Sequence, residues 1–175
     1  MWRKIIFYGA VAGLVAGVPL SIAIAINAPA AHGMVVGYLT MLIGLSAVFV
    51  AIKRYRDVEL GGVIRFLPGF GLGLAISAVA GVFYVLAWET VSAFSHMDFA
   101  ADYAKSLIEQ QKAVGVAGDA LVKFTADMER FKAQYANPLY RLPMVFAEIF
   151  PVGVLVSAVS AGLLRNSRFL PLQRN

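Results

Sequence analysis

The chain has no cysteine, which excludes disulfide frameworks, thiolate metal centres and thiol nucleophiles. Charge is also scarce. Asp, Glu, Lys and Arg make up 14% of the 175 residues, against about 25% in soluble domains. So little charge excludes a disordered chain or an acidic tail protein, and it argues against a free cytosolic enzyme. Histidine is rare too. His32 and His96 have no metal-ligand spacing, and with Asp98 they make only a weak metal candidate, for which solvated loop residues are the better reading. No metal and no other cofactor is expected. What the sequence does have is apolar residues, at 60%.

These residues gather into four runs, at 5–26, 34–52, 66–88 and 142–164. Each is close to the roughly 20 residues that cross a bilayer core. The runs are continuous and do not alternate, so they indicate helices and not barrel strands. The first follows Arg3 and Lys4 as a signal peptide would, but its 22 apolar residues exceed the roughly 7–15 of a signal core. It is therefore expected to remain as a membrane helix. The first three runs hold no charged residue; the fourth holds one, Glu148.

Lys and Arg set the expected orientation. With the N-terminus inside, segments 1–4, 53–65 and 165–175 carry nine Lys/Arg in 28 residues. The outer segments 27–33 and 89–141 carry six in 60 residues. The positive-inside bias then puts both termini in the cytoplasm. The net charge of +5 is thus a topology signal, with no nucleic-acid partner implied.

Segment 89–141 is the only sizeable polar part. Leu121, Phe124, Met128, Phe131 and Tyr135 recur at helical spacing. Phe99, Tyr103 and Leu107 mark a shorter helix before Gly115 and Gly118, and Asn137-Pro138 ends the second. The expected fold is an all-α membrane protein, one membrane domain over 1–175. It has four transmembrane helices and an extracytoplasmic helical hairpin between the third and fourth, acting either as a cap or as a binding lid.

Small residues recur every four positions. The stripes are Gly9, Gly13, Gly17 and Ser21; Gly69, Gly73, Ser77 and Gly81; and Gly153, Ser157 and Ala161. Such stripes let helix backbones approach closely in lipid, within one chain or between chains. Pro68 and Pro143 fall in the first turns of their runs, where a missing N–H costs nothing. Pro19 and Pro151 are interior, each freeing a carbonyl one turn earlier.

Glu148 is the most informative residue. An intramembrane carboxylate is costly, so it is expected to face the bundle interior, with Tyr84 as donor at the same depth, Arg141 two turns away on the same face, and Pro151 loosening the helix beside it. Three roles stay open: a structural polar clasp, proton or ligand handling, or exposure at the interface. Trp88 is expected to anchor the outer boundary, with Glu89 simply hydrated. In the inner loop, Lys53, Arg54 and Arg56 are expected to meet anionic headgroups. Asp57 pairs locally with Arg56, and Gly61-Gly62 makes the turn into the third helix.

At this loop a resemblance emerges. Gly37-Tyr38, Met41, Ile52-Lys53-Arg54-Tyr55-Arg56-Asp57, Gly61-Gly62-Val63-Ile64 and Phe66 resemble the bacterial domain-of-unknown-function family numbered 4199. So do Tyr84, Trp88-Glu89, Glu148-Ile149-Phe150-Pro151-Val152-Gly153, Ser157 and Ser160-Ala161. The resemblance implies a small four-helix integral membrane protein and assigns no reaction. Taken together, the expected function is non-enzymatic assembly or accessory work through the small-residue stripes, with a homo-oligomer possible and no small-molecule ligand identified. The alternative is a small oligomeric transporter or channel that uses Glu148 in an outer-half cavity. An intramembrane enzyme is disfavoured, because no Ser–His pair shares a depth and no second intramembrane carboxylate exists.

Overall fold

In the computed structural model, which describes residues 1–26, 30–95 and 98–172, the chain is all helical. Six helices follow in order: α1 (Trp2–Ala25), α2 (Ala30–Glu59), α3 (Phe66–Ser95), α4 (Phe99–Ala113), α5 (Gly118–Tyr135) and α6 (Pro138–Leu164). Four of them, α1, α2, α3 and α6, are long and apolar enough to cross a membrane. This is a membrane protein.

The helices overrun the apolar stretches that define them. α2 continues from Ile52 to Glu59 because its last turns are held by side-chain pairs, Lys53 with Asp57 at i,i+4 among them. α3 runs on past Trp88 to Ser95. α6 begins at Pro138, where Asn137 Oδ1 accepts from Leu139 N at 3.0 Å as an N-cap. Pro143 therefore lies inside α6 and not in its first turn, and both Pro19 and Pro151 are accommodated within continuous helices.

α1 packs against α3 and α2, α3 against α6, and α2 closes the ring against α6. The seams between them are built of small residues. A Cβ added to Gly9 or Gly13 would collide with α3 at Val79 or at the Ala80 carbonyl. Gly17 meets Tyr84 and Ala87, and Gly44 of α2 meets the Ala12 carbonyl and Ala16. Between α3 and α6 the fit is reciprocal: a Cβ at Gly73 would lie 2.7 Å from Ser157 Cβ, and one at Gly153 2.7 Å from Ser77 Cβ. Ser77 Oγ and Ser157 Oγ are 3.2 Å apart in the buried centre. Gly69 faces Ala161 across the same seam, and Gly81 is covered by the Phe146 ring. The stripes are thus filled by neighbours from the same chain. Helices gain little from hydrophobic burial in lipid, so this close backbone contact is what holds the bundle.

Candidate functional site

The polar chemistry collects at the two ends of the bundle. At one end, Arg56 is completely buried at the close of α2. Its Nε donates to Asp57 Oδ1 at 2.7 Å, and Lys53 Nζ donates to Asp57 Oδ2 at 2.6 Å. The rest of the guanidinium crosses to the end of α6. Nη1 donates to Phe169 O at 2.9 Å, with Leu164 O at 3.5 Å, and Nη2 donates to Leu170 O at 2.5 Å. A rigid fork of donors suits this task, since Leu164 O is a helix-end carbonyl without a partner inside α6 and the Phe169 and Leu170 carbonyls lie in the irregular segment after it. Leu170 sits at φ 49°, an uncommon conformation for a non-glycine residue, and its carbonyl is one of those held. The turn beside it uses Gly61 and Gly62 at φ 65° and 96°, which glycine adopts without penalty. Lys4 of α1 pairs with Glu59 at the same end.

Arg56 thereby departs from the expected headgroup contact. Its partners are Asp57 and the segment after α6, more than a hundred residues away. Arg54, in contrast, is exposed.

At the other end, Trp88 is buried and meets Phe99 edge-on, with ring centroids 4.9 Å apart. Phe99 continues into Tyr103 at 5.6 Å and Tyr135 at 5.5 Å, and Phe131 bridges the last two. This aromatic cluster seats α4 and α5 on the bundle. Arg141 clamps Glu89 with two parallel bonds, Nε to Oε1 at 2.7 Å and Nη2 to Oε2 at 2.6 Å. Its Nη1 reaches Tyr135 O at 3.3 Å, and the guanidinium lies 5.7 Å from the Tyr135 ring centroid. Burial pushes the Tyr135 hydroxyl up to about 12, with Trp88 and Arg141 acting in the opposite direction. Arg141 is therefore Glu89's partner and not Glu148's, and Glu89 is a half-buried member of an ion pair and not a simply hydrated carboxylate. The pairing joins residues 52 apart, so no local window could display it.

Glu148 lies seven residues beyond Arg141, about 10 Å further along α6. The Tyr84 hydroxyl lies beside its carboxyl, as the sequence suggests. However, Tyr84 is buried whereas Glu148 is exposed on the flank of the bundle, and Pro151 is exposed as well. The interior between α3 and α6 is already full of Gly, Ser and Phe146, which leaves the carboxylate at the edge of that seam.

A cleft of about 590 Å³ opens beside the Glu89–Arg141 pair, between the end of α3 and the α4–α5 pair. Asp98, Phe99, Glu129 and Lys132 line its far side. Sequence reading did not single out Ser92, Glu129 or Lys132; the only signal was the aromatic spacing that brings α5 back to Trp88. Among the described residues no group of three His, Asp or Glu could hold a metal ion. His96 and the side chain of His32 lie outside the described residues.

The class defined by this architecture is a multi-pass helical membrane protein with a helical excursion between its last two spans. Residues 6–166 match the family model described as "Protein of unknown function (DUF4199)", and the chain belongs to that family. No curated protein and no solved structure matches it.

Proposed function

We propose that the chain is a non-enzymatic assembly or accessory protein of the bacterial inner membrane, with both termini cytoplasmic and α4–α5 forming a helical hairpin outside. The observation that carries this reading is where the buried and half-buried polar groups go. Ser77 with Ser157, Arg56 with the α6 terminus, and Arg141 with Glu89 all tie one helix to another. The exposed Arg54, Arg65, Arg165 and Arg168 gather at the Arg56 end, which suits anionic lipids on the cytoplasmic face.

The assembly contact is not the glycine stripes, whose neighbours are in the same chain. Glu148 is the better candidate. Tyr84 serves one side of this carboxyl; its side exposed on the flank at membrane depth calls for a further hydrogen-bonding neighbour, which a second copy supplies in the simplest case. Native mass measurement of the full chain in lipid nanodiscs tests this. We expect an oligomer that survives Glu148→Gln and falls to monomer with Glu148→Leu; a monomeric wild type overturns the assembly reading.

The same exposed Glu148 favours one alternative, a small oligomeric transporter or channel whose path runs between copies. Proton-driven flux in liposomes that disappears with Glu148→Ala would establish it in place of the accessory role.

A further inference from the structure

The flank of α6 carries more than the Glu148 carboxyl. Ala147, Glu148, Pro151, Leu155 and Val159 share one helical face and are all exposed, on the least buried of the four spans. Pro151 has no N–H, so the Ala147 carbonyl one turn earlier has no donor inside α6. No side chain among the described residues donates to it either. Ala147 and Pro151 follow Leu142, where the apolar run begins, by five and nine residues. They lie about 8 and 14 Å into a hydrocarbon core about 30 Å thick. An unpaired carbonyl is costly there, because lipid offers it no donor.

Glu148 presents the matching need. Tyr84 serves one side of its carboxyl. Arg141, the cation on the same helix, is committed to Glu89. Away from water, a carboxyl without a cation is cheaper neutral than ionised, and the neutral form has one O–H to donate. A donor and an acceptor thus stand in adjacent positions on a face that no other helix covers.

α1 has a freed carbonyl as well. Pro19 lies inside that helix and frees Val15 O on an exposed face. The rest of that face, Val11, Leu14, Val18 and Ile22, offers no donor. A contact of α6 with α1 would therefore leave Ala147 unpaired and would join copies head to tail. Two α6 flanks facing each other satisfy both copies at once, and such a self-complementary contact closes as a dimer.

We propose that two copies dimerise through the α6 flank, Glu148 of each donating to the Ala147 carbonyl that Pro151 frees in the other. This rests on the assembly reading above and names the group that Glu148 meets. A two-fold axis along the membrane normal sets the two α6 helices side by side in the same direction, so that Leu155 meets the partner's Leu155. Glu148→Gln keeps a donor at the same place, which is why it preserves the dimer and Glu148→Leu does not.

The test is native mass measurement of the full chain in nanodiscs, with Pro151→Ala beside the wild type. The alanine gives the Ala147 carbonyl an N–H within its own helix, so the monomer keeps its fold while the partner's donor loses its acceptor. We expect the association constant to fall at least fivefold, with helix content by circular dichroism unchanged. Pro19→Ala, which does the same for Val15, should leave it within twofold. In the cysteine-free chain, Leu155→Cys should give a disulfide-linked dimer under mild oxidation and Val18→Cys should not. An oligomeric wild type that Pro151→Ala leaves unchanged overturns this contact and spares the assembly reading, whereas a monomeric wild type overturns both. Loss of the dimer with Pro19→Ala, or cross-linking at Val18→Cys in place of Leu155→Cys, assigns the contact to α1 and also overturns the proposal.

Discussion

Arg56 shows how much one side chain can hold in a bundle whose helices have little hydrophobic reason to stay together. Its guanidinium joins the end of α2 to the end of α6 and to the strained Leu170 turn, without any exposure. Removing it takes the side-chain donor from three carbonyls and leaves the Asp57 carboxylate with Lys53 alone. Arg56→Ala should therefore destabilise the protein by about 3–5 kcal/mol, the range for breaking a buried charge network. Arg56→Lys keeps the charge but not the fork and should recover less than half of that loss. Thermal unfolding in detergent micelles reads both, with exposed Arg54→Ala as a control expected to stay within about 0.5 kcal/mol. Sequence reading places Arg54 and Arg56 in the same basic loop and gives no means of separating them. The separation comes from helix phase and from partners more than a hundred residues away. For the same reason Tyr84 was legible as a neighbour of Glu148 by depth along two apolar runs, whereas the outward position of Glu148 and the Glu89–Arg141 clamp were not.

The spans themselves were the most legible elements, because hydropathy over some 20 residues is a property of each segment alone. Their ends were less so. α2, α3 and α6 all run beyond their apolar stretches, carried by ion pairs, a cap and the aromatic cluster. The recurring glycines and serines were visible too, but not their partners, and Gly44 of α2 was missed because it belongs to no four-residue stripe. Those partners make the element-level prediction sharp. An added methyl at Gly13 runs into the Ala80 carbonyl, which cannot turn aside as a flexible side chain would. Gly13→Ala should force α1 away from α3 and cost about 1–3 kcal/mol, as overpacking does. A methyl added at Gly162 of α6 would meet nothing within 4 Å. Gly162→Ala should be neutral or gain up to about 1 kcal/mol from helix propensity. Denaturation by increasing SDS fraction compares the two; equal losses would mean that glycine's flexibility matters and not the seam.

For the whole molecule, charge and architecture make one combined statement. Among the described residues, the Arg56 end gathers the N-terminal Arg3 and Lys4, the end of α2 with the α2–α3 turn, and the residues after α6, with eight of the chain's 15 Lys and Arg. The Trp88 end carries the α4–α5 pair, where six basic residues meet seven acidic ones over 89–141. If all four candidate spans cross, the chain returns to the side on which it began and a single measurement orients everything. Because the chain has no cysteine, each introduced thiol is unique. Val122 on α5 and Ser167 after α6 are both exposed, so neither Val122→Cys nor Ser167→Cys disturbs packing. If the basic end is cytoplasmic, a membrane-impermeant maleimide applied to intact cells should label the Val122→Cys protein at least tenfold faster than the Ser167→Cys protein. Permeabilisation should make the two equal. The reverse pattern would put the cleft and its Glu89–Arg141 pair on the cytoplasmic side and invert the leaflet facing it. Equal labelling in intact cells would mean that the charge difference does not choose between the orientations, and that the chain inserts both ways.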